Sequence, residues 1–147
     1  MLSAIQIKQH VFTRVEVHCD PECGKTPKNE TYEVRLAATE PKLEPDSPMW
    51  RMSVDVRFGP SDKSHPVRYK GHLTVRGRFE IHPKFTEDKR LDLVRMNGGS
   101  LLFGAIREMV LTITARSAKG PIELPTFDAR MFLAKKQKPA SDTFQEE

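Results

Sequence analysis

Cysteine is almost absent: Cys19 and Cys23, close together in HCDPECGK, are the only two in 147 residues. A secreted domain stapled by disulfides needs more, so both thiols are expected to be reduced. His18, Cys19, Asp20 and Cys23 are neighbours in sequence, but a structural zinc site takes four well-spaced ligands and no second cysteine pair follows; no metal is expected. Long hydrophobic runs are missing too. The start, MLSAIQIKQH, lacks the basic residues and apolar core of a secretory signal, and no stretch reaches the roughly 20 apolar residues that span a bilayer. A cytoplasmic protein with no membrane partner is expected. Motifs that carry chemistry are equally scarce, with no Gly-rich phosphate loop, no HExxH pair, no Ser or Cys nucleophile beside an evident base and no paired carboxylates in an apolar setting. His10, His18 and His72 fall on polar strand faces and His65 and His82 at strand ends, where they read as solvated surface. The expectation is a non-enzyme without a cofactor.

What is present describes one folded domain. Hydrophobic residues make up 37% and charged residues 30%, with 11 Pro and 8 Gly punctuating loops. A chain of this length buries enough surface for an independent core, assigned here to residues 1–138, with 139–147 as a flexible tail. The formal charge of +4 permits contact with nucleic acid or acidic protein without demanding either.

Apolar residues alternate with polar ones at Ile5, Ile7, Val11, Val15, Val17 and Cys19, again at Tyr32, Val34, Leu36 and Ala38, at Trp50, Met52, Val54, Val56 and Phe58, and at Val67, Tyr69, Leu73, Val75, Phe79 and Ile81. A period of two marks half-buried strands, separated by Pro, Gly, Asp and Asn-rich turns. The fold class is therefore α+β: a four-stranded antiparallel sheet with one face that must be covered, Gly71 and Gly77 marking bulges or bends. The cover is a helix over Leu101 to Arg116, whose stripe of Leu102, Phe103, Ile106, Met109, Val110 and Ile113 is set on the sheet. Gly104, Leu111 and Ala115 gather on another side, with Leu101 nearby, beyond Arg107 and Thr114; small residues there admit a second helix and form the candidate oligomer interface, the alternative being a helix wedged under its own loops. After AKGPIELP a second helix is expected, with Thr126 as cap, Asp128 in its first turn, Lys135, Lys136 and Lys138 at its end, and Pro139 as its stop.

The polar sheet face reads as basic, with Lys8, Arg14, Arg35, Arg51, Arg57, Arg68, Lys70, Arg76 and Arg78 against Glu16, Glu33, Asp55 and Glu80. Sheets that bind nucleic acid also offer stacking aromatics, and Phe12 is the one aromatic pointing that way. Nucleic acid is the remoter reading; a solvated face or an acidic protein partner is favoured.

The order of elements, with LLFGAIREMV opening the long helix and GPIELPTFD following it, resembles the SecB family of export chaperones. Leu102 to Glu108 is similar to that family's aliphatic-Phe-x-x-x-Arg-Glu helix start, and Gly120 to Asp128 to its proline-rich linker. The resemblance implies a homotetramer, a dimer of dimers, that holds unfolded polypeptide without ATP in surface grooves between sheet edge, linker and second helix. It implies client contacts at Phe127, Met131, Phe132 and Leu133, with Phe12, on the face away from the core, and Trp50 as sheet-side candidates; core packing is the alternative for Trp50. Acidic residues on the outer sheet of such export chaperones contact the basic tail of the SecA motor, whereas the matching strand here carries Lys70 and His72, a sign that penalises docking of a basic tail. A branch of the family instead holds the carboxyl-terminal segment of an antitoxin, and the basic outer face favours that dedicated role over general export.

Overall fold

The computed structural model describes residues 3–24 and 27–133. Strands β1 (Ile5–Cys19), β2 (Tyr32–Ala38), the two-residue β3 (Lys42–Leu43), β4 (Met49–Pro60) and β5 (Tyr69–Ile81) form one antiparallel sheet in the order β1-β5-β4-β2, with β3 also paired to β4. The chain crosses from one edge to the other between β1 and β2, then fills the middle with the β4–β5 hairpin. The expected fold class holds. The pairing of Lys42 with Arg51 and Leu43 with Trp50 adds a short fifth strand within a stretch that its prolines marked as a turn.

Long β1 departs from strict alternation. Its register against β5 shifts between Ile7 and Gln9 and again between Phe12 and Arg14, so one extra residue enters β1 at each place. Each β-bulge inverts the side-chain order beyond it. Between the two, Phe12 stands directly opposite Val75, a core residue, while Val11 stands opposite Arg76. Phe12 therefore faces the helix side, half-buried against the core, and Val11 is turned out onto the basic face, the reverse of the expected assignment. In β5 itself the register with β4 runs unbroken through Gly71 and Gly77. A Cβ at Gly77 would stand 2.7 Å from Leu102, and one at Gly71 2.5 Å from the ring of Phe58. These glycines make room for close packing rather than marking bulges.

One continuous helix covers the sheet. It comprises α1 (Glu87–Leu93), a π turn (Val94–Gly98) and α2 (Gly99–Ala115), and so begins well before the expected Leu101. Thr86 stands extended ahead of it, and Glu87 and Asp88 in the first turn complement the positive end of the helix. Gly98 and Gly99 lie inside the helix with helical angles. Leu102, Phe103, Ile106, Val110 and Thr114 form the buried stripe, whereas Met109 and Ile113 are half-buried. Thr114, expected as a polar separator, is fully buried because its hydroxyl is satisfied. It donates to the Val110 carbonyl at 2.7 Å and accepts the Ile122 N–H at 3.0 Å. The core beneath joins Trp50, Met52, Val54, Val56, Tyr69, Leu73, Val75 and Phe79 of the sheet to this stripe.

Beyond Gly120, whose φ of 81° suits glycine, the chain runs back along α2. Ile122 and Leu124 are buried while Pro121, Glu123 and Pro125 are exposed. The last described residues form a 3-10 turn at Ala129–Leu133, where the start of a second helix was expected. Asp128 rather than Thr126 receives the N–H of Arg130, at 2.9 Å. Lys135, Lys136, Lys138 and Pro139, and the tail with them, lie outside the described residues.

Candidate functional site

The returning segment is held at successive levels of the long helix. Thr114 accepts the Ile122 N–H, and Arg107 Nε donates to the Leu124 carbonyl at 2.9 Å. Phe127 meets Phe103 edge-on with ring centroids 5.1 Å apart, and Phe132 seats its ring on Gly99, where a Cβ would stand 2.6 Å from it. The segment thus runs antiparallel to α2 and returns the chain to the start of that helix. Its far end is clamped as well. Tyr69 donates its hydroxyl to the Gly120 carbonyl at 2.7 Å, Arg68 Nη1 donates to the Lys119 carbonyl at 2.8 Å, and the Lys119 ammonium donates to the carbonyls of Asp20 and Cys23. Arg68, expected on the basic face, is instead drawn to the sheet end, where its guanidinium pairs with Glu30 at 2.9 Å. Burial raises the Glu30 pKa, but the hydrogen bonds and charge of Arg68 outweigh it and hold the carboxyl below its usual range. At the turn, hydrogen bonds from Arg130 bring the Asp128 carboxyl down to about 2.

This docking divides the predicted site residues into two sets. Phe132 (1% exposed) and Trp50 (5%) are packed into the core, and Phe127 is half-buried on the helix. Met131 and Leu133, on either side of Phe132, are exposed at 36% and 37%, and Leu101 on the helix at 44%. Ile7, near the start of edge strand β1, is exposed at 36%, and β1 packs against the π turn that leads into α2. Among the described residues the first turns of α2 therefore lie between the edge strand β1 and the 3-10 turn, with exposed apolar side chains around them. Such a surface shields apolar segments of another chain, while the edge offers backbone donors and acceptors. Ile7 escaped the sequence reading because its position fits the core pattern of its strand, and Leu101 because it falls near the small-residue side of the helix with Gly104, Leu111 and Ala115.

Gly104 and Ala115 are exposed and Leu111 half-buried on the side of α2 away from the core. A Cβ at Gly104 would meet nothing within 4 Å, so this side is open to close approach.

The outer sheet face is less simply solvated than its alternation implied. Asp55 is buried there, and its carboxylate accepts from His72 Nε2 at 2.9 and 3.0 Å and from the Thr74 hydroxyl. His72 is consequently part of a buried polar network rather than a solvated histidine. Cys19 is exposed and Cys23 buried, and among the described residues no three His, Cys, Asp or Glu side chains are grouped to hold a metal ion. Among those residues, too, no helix is long and apolar enough to cross a membrane.

No protein-family model matches the chain, and no curated protein matches it in sequence. Among solved structures it is similar to the Mycobacterium tuberculosis SecB-like chaperone in complex with a ChAD peptide from the HigA1 antitoxin, with a TM-score of 0.61 and 18% identity over 85% of this chain and 88% of that one. A protein of unknown function from Streptococcus agalactiae is similar at a TM-score of 0.42 and 12% identity, over 83% and 97% of the two chains, too distant to carry an argument. From the sheet order, the long covering helix and the returning segment, together with the first of these likenesses, the chain has the SecB-like fold.

Proposed function

We propose that this chain is a SecB-like holdase that binds unfolded or aggregation-prone polypeptide without ATP, and that its dedicated client is the carboxyl-terminal segment of an antitoxin. The observation that carries the reading is the likeness in fold to a chaperone in complex with an antitoxin peptide. The exposed apolar side chains of Ile7, Leu101, Met131 and Leu133 around the start of α2 support it, since they supply the surface a holdase needs. Met131 and Leu133 are the client contacts, Phe127 lies at their border, and Phe132 and Trp50 shape the surface from beneath. Phe12, half-buried on the helix side, lines its sheet-side wall. Such a role needs neither a cofactor nor a catalytic step.

Assembly into a cytoplasmic homotetramer belongs to the same proposal. The side of α2 at Gly104, Leu111 and Ala115 supports it, because a Cβ added at Gly104 would meet nothing within 4 Å. The deciding experiment is co-purification with the antitoxin of an adjacent toxin–antitoxin pair, compared with the same antitoxin lacking its carboxyl-terminal segment. Retention of the intact antitoxin alone is expected. Binding to SecA with restored precursor export in a strain lacking SecB, and no antitoxin capture, would establish the export role instead.

A further inference from the structure

The outer face of the sheet opposes like charges. Arg35 stands directly opposite Arg57, and Arg51 directly opposite Arg78, arrangements that destabilise a sheet unless something lies between. Glu44 lies between the second pair, 3.7 Å from Arg51 and 2.6 Å from Arg78. Arg35 of the first pair is held by Glu33 at 3.3 Å, and this pair borders a cleft of about 510 Å³ that Arg14 and Lys70 also line.

The floor of this cleft is built. Only 6% of the Asp55 side chain and 12% of that of His72 are exposed. The carboxylate of Asp55 accepts only, so the imidazole places its proton on Nε2. Guanidinium groups donate only, so Nδ1 presents its lone pair to Arg14 Nη1 at 2.8 Å and Arg57 Nη2 at 3.3 Å. One buried carboxylate thus orients an imidazole, and the imidazole sets two guanidinium heads side by side. Guanidinium forks held in advance receive carboxylates in paired hydrogen bonds.

We propose that this cleft docks an acidic segment of a partner protein, its carboxylates received by Arg14, Arg35, Arg57 and Lys70. Charge complementarity selects the occupant. A nucleic acid strand fits less well: the outward positions of β1, β2, β4 and β5 carry no Phe, Tyr or Trp on which bases stack. Glu16 and Glu33 on the same cleft oppose a continuous phosphate chain but tolerate spaced carboxylates between backbone amides. The cleft lies on the opposite sheet face from the apolar surface around α2, so the inference stands independently of the client reading.

The test is fluorescence anisotropy at low salt with a labelled peptide alternating Glu and Ala, its Lys counterpart, and a labelled single-stranded oligonucleotide. The acidic peptide is expected to bind, to weaken as salt rises, and to lose about tenfold or more in affinity with Arg14→Gln plus Arg35→Gln. Lys70→Gln, at an exposed position, supplies a second variant should the double substitution disturb folding, and is expected to weaken binding more modestly. Met131→Ser with Leu133→Ser should leave it unchanged. No binding of the acidic peptide, tighter binding of the oligonucleotide, or affinity indifferent to the cleft substitutions in folded protein would overturn the proposal.

Discussion

Gly99 sits inside a helix with φ of −57° and ψ of −45°, angles that any residue adopts, and glycine there forgoes about 1 kcal/mol of helix propensity relative to alanine. Its role is to admit the ring of Phe132, which a Cβ would approach to 2.6 Å. Phe132 is 1% exposed and has little room to retreat, so Gly99→Ala introduces an overlap worth roughly 1–3 kcal/mol. The balance is a net loss of about 1 kcal/mol. Phe132→Ala alone removes a buried aromatic at about 3–5 kcal/mol, or less where the returning segment detaches while the sheet stays folded. In that background the overlap is gone, and Gly99→Ala becomes stabilising by up to about 1 kcal/mol. The double-mutant cycle should therefore show coupling of about 2 kcal/mol, read from urea-unfolding midpoints of the four proteins by circular dichroism. If Gly99→Ala raised the midpoint equally in both backgrounds, the close seating of Phe132 on the helix would be refuted.

The remaining expectations follow the same geometry. Thr114→Val leaves the buried Ile122 N–H without its acceptor and should cost about 1–3 kcal/mol; Thr114→Ser should recover most of it in the same unfolding experiment. Breaking the Arg68 pair by Glu30→Gln should cost about 1 kcal/mol, high for an ion pair because the two side chains are 18% and 14% exposed. Since the Glu30 pKa is lowered in the fold, that contribution is complete above the ordinary value of 4.5 and is lost as pH falls through the folded value. The gap between wild type and variant should accordingly close on acidification. Met131→Ser with Leu133→Ser, at exposed positions, should change stability by no more than about 0.5 kcal/mol per site while client capture, measured by anisotropy, falls. A large loss of stability instead would mean that these side chains are structural.

Periodicity identified the four principal strands and the covering helix because each has one buried face, and burial is what hydrophobic alternation records. It failed where a residue changes face without changing type. The bulges in β1 insert ordinary residues, so nothing in the pattern announced that Phe12 turns inward and Val11 outward. The helix was expected from Leu101, yet Gly98 and Gly99 lie inside it, where Phe79 and Phe132 approach. The site was legible only in part. The resemblance named Met131 and Leu133 together with Phe127 and Phe132, and only the docked 3-10 turn separates the exposed pair from buried Phe132. The Asp55–His72 network was invisible in sequence, since two polar residues on neighbouring strands read like any solvated pair.

The most direct measurement is light scattering of an antitoxin diluted from denaturant into this protein without nucleotide, once with its carboxyl-terminal segment and once with that segment removed. Scattering is expected to stay at baseline for the intact antitoxin and to rise for the truncated one. Equal aggregation of both would contradict the holdase reading, and equal protection of both would contradict a dedicated client segment.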